Sequence, residues 1–332
     1  MQNGGNGLFY PDYYPRFKCI ADKCSDTCCQ GWEICIDEDS LGRYRSVGGA
    51  IGQRLSENIT IDGDGAHFIL AEDGRCPFLN SSNLCDLYIA LGEESLCGIC
   101  TDHPRFRSFL SDRTEIGIGL CCEAAAKIIL TEEKPVHIVP EAYFPDNALE
   151  KAVLQIREML FKLCERDEPF IALRKCCALA IDAQDMLAES DFSGISELYE
   201  HFSGYSFAIE EISDKKVITV LKAMESISPE WDEMLKRLEN GEYKTDFSSE
   251  NEMQRLAEYF IFRHFPESLS DGDIVSKAYF AYFAVSAVKM FWGAYLYESS
   301  ALTLRDRING AKLFSKGVEY SEINMQRAYN LL

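Results

Sequence analysis

The sequence predicts a mainly α protein in two parts: a small cysteine-rich N-terminal region with a short β-hairpin over 1–135, followed by an α-helical bundle over 145–332. Three observations carry this. Most of the 14 cysteines lie before residue 123, four of them within residues 19–29. Ile59-Thr60-Ile61 and Ala66-His67-Phe68-Ile69-Leu70 flank Asp62-Gly63-Asp64-Gly65, two β-type runs about a turn. Beyond about residue 145, apolar side chains recur at spacings of three and four, the period of one helix face.

A chain of 332 residues is long enough for one large domain or two ordinary ones, each with its own core. Its 47% hydrophobic and 26% charged residues are those of a soluble globular protein. The formal charge of -21, from 54 acidic against 33 basic side chains, argues against nucleic acid, whose binding needs Lys and Arg on phosphates. A lysine-bearing protein partner fits that acidity better. The first ten residues have neither a basic start nor an apolar run, so a cytoplasmic location is expected rather than secretion.

In chain order, residues 1–17 read as a Gly-, Asn-, Tyr- and Pro-rich arm. Cys19, Cys24, Cys28 and Cys29 follow at once, and Asp37-Glu38-Asp39-Ser40 starts a short helix with acidic residues in its first turn. The hairpin leads to Cys76-Pro77-Phe78 and, through Asn80-Ser81-Ser82-Asn83, to Cys85. Cys97-Gly98-Ile99-Cys100 and His103-Pro104-Arg105 come next, and Leu120-Cys121-Cys122 opens a helix through Leu130. The helical half begins with Leu149, Ala152, Val153, Ile156, Met159, Leu160 and Leu163 on one face. Further helices are expected near 171–188, 215–239, 251–264, 274–297 and 300–314, with turn signals at Ser228-Pro229 and Gly272. The most apolar run, 278–288, is bracketed by Lys277 and Lys289, short of the about twenty apolar residues a bilayer span needs. It reads as a buried central helix, with no membrane expected as partner.

Closely spaced cysteines in a long chain without a secretion signal point to metal binding or redox work rather than to disulfides. Adjacent Cys28 and Cys29 strengthen this, since a disulfide between neighbours is strained. Thiolates select zinc and iron–sulfur clusters, and tetrahedral sulfur coordination serves both. Cys97-x-x-Cys100 is a knuckle of the kind zinc sites use. With Cys19, Cys24, Cys28, Cys29, Cys76 and Cys85 it makes eight candidate ligands, nine with Cys122. That exceeds the four one site requires, leaving two sites or one site with some cysteines in the core. Cys164, Cys176 and Cys177 fall in helical periodicity and read as small buried hydrophobes. Cys35 lies in a strand-like run, where core and ligand roles are equally open. His103 is a ligand, a proton-transfer group or a turn residue. His264 lies on an apolar face with Leu256, Phe260 and Ile261, as a satisfied core histidine does.

Other signatures are missing. Gly48-Gly49-Ala50-Ile51-Gly52 lacks a strand–turn–helix context, and the chain has no Walker-type loop and no Gly-x-Ser-x-Gly. Cys24-x3-Cys28 begins like a radical S-adenosylmethionine motif, but Gly31 stands where its third cysteine belongs.

These residues resemble the flagellin lysine-N-methylase family, part of a broader CxxCxxCC-type group of zinc- or iron-chelating proteins. Cys24-x3-Cys28-Cys29-x-Gly31-Trp32-x-Ile34-x-Ile36-Asp37 is similar to its first motif. So are Cys76-Pro77-Phe78-Leu79-Asn80 with Leu84-Cys85, Leu91-Gly92-Glu93-Glu94 with Cys97-x-x-Cys100, Pro104-Arg105, and Cys122 leading into Ala125-Ala126. The likeness continues through Glu258–Phe265, Asp271-Gly272-Asp273-Ile274 and Glu319-Tyr320-Ser321-Glu322-x-Asn324, and so covers most of the chain. Cys121 is a departure: the family pattern has one cysteine where Cys121 and Cys122 stand. Cys35 has no counterpart there, which favours a non-ligand role.

The resemblance implies methyl transfer from S-adenosylmethionine to surface lysines of flagellin or another lysine-bearing protein. It implies a [4Fe-4S] cluster, with zinc as the alternative, held by thiolates drawn from Cys19, Cys24, Cys28, Cys29, Cys76, Cys85, Cys97, Cys100 and Cys122. No ordinary donor-binding sequence is visible, so the donor site and the base stay unassigned. The competing reading is a non-catalytic zinc- or iron-chelating or sensing module whose helical half binds a partner; a disulfide-rich secreted protein is a third.

Overall fold

A computed structural model of the chain describes residues 7–31, 33–63, 65–140, 145–204 and 209–331. Trp32 of the first cysteine motif, Asp64 of the hairpin turn and the first six residues of the N-terminal arm lie outside the described residues. The chain forms two compact units, Lys18–Phe106 and a second that joins Met1–Phe17 to Arg107–Leu332. The cysteine-rich composition runs on to about residue 135, whereas the contact boundary falls at Phe106, so Cys121 and Cys122 belong to the larger unit.

In the smaller unit the predicted hairpin forms as strands Ile59–Asp62 and Gly65–Phe68, and Cys35–Ile36 pairs antiparallel along the other edge of Gly65–Phe68. Alternation along these strands sends Ile36, Ala66 and Phe68 into a core with Ile34, Tyr44, Leu55, Phe78 and Leu87. Cys35, His67 and Thr60 form a row on the other face, because His67 is in register with both of the others. Helix Glu38–Ser46 begins where the acidic run predicts. Asp37 Oδ1 accepts from Ser40 N at 2.8 Å, and its Oδ2 accepts from Gly98 N at 2.8 Å. One carboxylate thus caps the helix and fastens the start of Gly98–Asp102, and the Gly98 and Ser40 N–H groups hold its pKa at about 2.

In the larger unit the N-terminal arm is partly a strand. Gly7–Pro11 lies parallel to Arg113–Ile118 and antiparallel to Ile138–Val139, in a four-stranded sheet edged by Arg105–Phe109 and Ile138–Val139. Local sequence does not show this pairing, since both partners of Gly7–Pro11 are distant in the chain. Behind the sheet Glu115, fully buried, receives both Arg157 Nη1 and Nη2 at 2.5 and 2.8 Å and Arg113 Nη2 at 2.6 Å.

The helices come as the periodicity predicts, with two refinements. The 215–239 stretch is two helices, Asp214–Lys222 and Pro229–Glu239, because Ser228 caps a new start and Pro229 cannot continue the old one. Ile195–Ser203 and Glu322–Leu331 are additional. Helix Ile274–Glu298 is the predicted centre: it packs against Pro169–Ala188, Glu250–His264 and Leu304–Gly317. By length and composition it could cross a bilayer, yet 78% of its most apolar window is buried within the protein.

Candidate metal centre

Five thiols come together in the core of the smaller unit. Cys76 and Cys97 are buried members of that core, and Cys29, Cys85 and Cys100 pack against it half-buried. Local backbone chemistry places each one. Residues 29–31 and 74–76 form a short antiparallel ribbon, with Cys76 N donating to Cys29 O at 2.8 Å and Gly31 N to Gly74 O at 3.0 Å. After Phe78 the chain reverses through a turn built by Asn80, whose Oδ1 accepts from Ser82 N and Leu84 N at 2.9 and 3.1 Å. Asn83 in that turn has φ of 57°, which asparagine tolerates better than most residues. The reversal sets Cys85 opposite Leu79, and helix Asp86–Leu91 starts directly after it. Arg54 then holds the arrangement from outside, donating to Asp86 Oδ2 at 2.6 Å and lying 5.0 Å from the centre of the Phe78 ring. Cys97 precedes helix Gly98–Asp102, so one turn carries Cys97 and Cys100 to the same side with their Sγ atoms 3.5 Å apart.

The thiols share one electrostatic field. Cys29 feels charge on Cys76 and Cys85, Cys76 feels Cys85 and Cys97, and Cys100 feels Cys97, Cys29 and Cys76. Within close pairs the proton is divided unequally. The hydrogen bond between the two sulfurs brings Cys97 down to about 7, while Cys100 is raised. Cys28, whose Sγ lies 4.0 Å from that of Cys29, likewise lowers Cys29 and is raised in return. Burial pushes Cys76 up to about 11.

Of the nine predicted ligands, the structure therefore gathers Cys29, Cys76, Cys85, Cys97 and Cys100, with Cys28 beside Cys29. Cys19 is exposed on the segment before the turn Ala21–Lys23, and Cys24 is half-buried just after it. Cys122 lies in the larger unit, directly before helix Glu123–Leu130, next to buried Cys121, which burial raises to about 12. None of the fourteen cysteines is joined in a disulfide. Among the described residues no three His, Cys, Asp or Glu side chains are placed to hold a metal ion, so the five thiols share a core and a field but not a formed coordination shell. In donor type they fit a soft metal or an iron–sulfur group: all are sulfur, and all are at least partly shielded from water.

Three cysteines and His264 are in the core as read from their periodicity, whereas Cys35 is in neither the core nor the gathered thiols. Cys164 on helix Ala148–Arg166 and Cys176 and Cys177 on helix Pro169–Ala188 are all buried. Cys35 is exposed and donates to Glu33 Oε1 at 3.6 Å. His264 is a satisfied core histidine, with Nδ1 3.0 Å from Glu267 and Nε2 2.8 Å from Glu319.

Glu319 itself escaped the reading of the residues. It is 9% exposed and also receives Tyr259 Oη at 3.0 Å and Arg263 Nε at 3.3 Å. Tyr259 Oη in turn accepts Leu120 N at 3.2 Å, tying this buried network to the loop that carries Cys121 and Cys122. The available signal was the pair of segments quoted for the resemblance, Glu258–Phe265 and Glu319–Asn324, which the fold brings together.

Comparison with known proteins gives three relatives. The Flagellar biosynthetic protein FliU of Salmonella muenchen is 22% identical over 160 residues, 46% of this chain and 94% of that protein. The Lysine-N-methylase of Salmonella typhimurium is 24% identical over 128 residues, 37% of this chain. That of Salmonella choleraesuis is 23% identical over the same length. The matched stretch spans 32% of the length of each lysine-N-methylase. No family model matches the chain, and no solved structure does.

Proposed function

We propose that this chain, a distant relative of the lysine-N-methylases, is a protein-lysine N-methyltransferase. In this reading it acts in the cytoplasm, takes methyl from S-adenosylmethionine and places it on surface lysines of flagellin. The observation that carries the reading is the convergence of Cys29, Cys76, Cys85, Cys97 and Cys100 in one core, within the unit that holds the first cysteine motif. The names of the relatives support lysine methylation and a flagellar context.

Thiolates drawn from the five converging cysteines, and from Cys19, Cys24 and Cys28 of the same unit, would hold a [4Fe-4S] cluster. Held by three thiolates, such a cluster would leave an iron able to bind the amine and carboxylate of an amino acid. The chain itself supplies the setting. Cys97, brought down to about 7, offers thiolate near neutral pH, and Cys29 is lowered as well. The acidic surface favours encounter with a lysine-bearing protein. Methyl transfer also needs the lysine stripped of its proton, because only the neutral amine attacks a sulfonium.

The test is incubation of oxygen-free protein with flagellin and S-adenosylmethionine, followed by mass spectrometry of flagellin peptides. Added methyl groups on lysines are expected. Bound metal with unmodified flagellin overturns the enzyme reading in favour of a chelating or sensing module.

A further inference from the structure

Two residues along the ribbon from Cys29 and Cys76, the smaller unit opens a groove of about 550 Å³. One end is bare backbone. Gly31 and Gly74 pair there with φ of 85° and 77°; a Cβ on Gly74 would stand 3.3 Å from Gly31 N, so neither position welcomes a side chain. Polar groups line the groove: Glu33, exposed just before strand Cys35–Ile36, and His67 on the sheet, whose Nε2 lies 3.6 Å from Asp62 Oδ2. Ile69 and Leu70 supply an aliphatic side, and Ile69 is 47% exposed.

A carboxylate and an imidazole backed by a second carboxylate, beside an exposed aliphatic strip, match a flexible apolar stem that ends in a cation. We propose that this groove receives the side chain of the substrate lysine. Its methylenes lie along Ile69 and Leu70, and its ammonium sits between Glu33 and His67. His67 accepts one ammonium proton at its other ring nitrogen, Nδ1, while Asp62 beside Nε2 stabilises the imidazolium formed. The freed nitrogen lone pair then bonds to the methyl carbon of the methylsulfonium donor as the sulfur–carbon bond breaks. Sulfur leaves with that electron pair as a neutral thioether, and the product is a methylammonium. Other charged groups facing His67 come from its own sheet, namely Asp62 and the Glu33–Cys35 pair. This assignment of the substrate site rests on the proposed methyl transfer.

Binding and turnover test it separately. By fluorescence anisotropy, the wild-type chain is expected to bind a short fluorescein-labelled single-lysine peptide about tenfold more tightly than its norleucine counterpart. Glu33→Gln should erase most of that preference. In turnover with flagellin, His67→Gln should lower kcat by about a hundredfold with little change in KM. Glu33→Gln should instead raise KM. Circular dichroism and bound metal equal to wild type identify variants that have folded. No lysine preference in the wild type, or a preference that survives Glu33→Gln, overturns the groove. So does wild-type kcat in folded His67→Gln, which removes His67 as proton acceptor. A lysine preference lost in Glu33→Gln, in a chain that transfers no methyl group, leaves the groove standing and overturns the methyltransferase reading instead.

Discussion

Cys76 N donates to Cys29 O at 2.8 Å, so two cysteines from distant parts of the sequence are fastened side by side by backbone alone. Their spacing therefore does not depend on either thiol. Serine at Cys76 or Cys97 is expected to leave the ribbon in place while weakening metal retention by at least about tenfold, the size of loss that even outer partners of a metal site cause. Cys35→Ser, on the exposed face, is expected to retain metal like wild type. Metal per chain, measured after gel filtration, checks both.

Glu115 pairs with two buried guanidinium groups, those of Arg113 and Arg157. Glu115→Ala leaves both charges buried without it, a class of change that costs about 3–5 kcal/mol. Urea unfolding followed by circular dichroism is expected to show that loss. The variant should lose stability even under conditions where no metal is bound, because Glu115 belongs to the larger unit and the five thiols to the smaller.

The pH dependence of stability should carry the mark of Glu319 and His264. Burial alone would lower His264, but the hydrogen bonds and charges of Glu267 and Glu319 outweigh it and hold it above its usual range. Its contribution is full below about pH 6.5 and is lost as pH rises through the raised value. Glu319 behaves oppositely. Burial would raise it, yet Arg263 and His264 together hold it below the usual carboxylate range. Its contribution is full above about pH 4.5 and fades as pH falls through the lowered value. Urea midpoints across pH are expected to fall on both sides of a plateau, and His264→Gln should flatten the alkaline fall while lowering the plateau.

Much of this was legible before the fold was known, where structure is local. Helices Ile274–Glu298 and Glu250–His264 follow from apolar periodicity, and the strands Ile59–Asp62 and Gly65–Phe68 from alternation about a glycine turn. Asp37 announced its helix because capping is a matter of adjacent residues, but its second bond, to Gly98, joins distant ones. The strand Gly7–Pro11 was read as an arm for the same reason: its partners, Arg113–Ile118 and Ile138–Val139, are far along the chain. The cysteine motif named the right residue type without ranking its members. Cys29 enters the thiol core because the ribbon to Cys76 turns it inward, whereas Cys122 falls with the larger unit. Glu319 stayed hidden because one glutamate late in a chain looks like any other until Tyr259, Arg263 and His264 close on it.

The central claim is that the converging thiols hold an iron–sulfur cluster in a lysine methyltransferase. The most direct measurement is iron, zinc and acid-labile sulfide per chain, with the visible spectrum, on full-length protein purified without oxygen and assayed for methyl transfer to flagellin. The account predicts iron and sulfide in equal amounts, a charge-transfer absorption, and the loss of both colour and methyl transfer in Cys97→Ser. Stoichiometric zinc without colour, or full methyl transfer by a metal-free chain whose 14 thiols all react with Ellman's reagent, contradicts it.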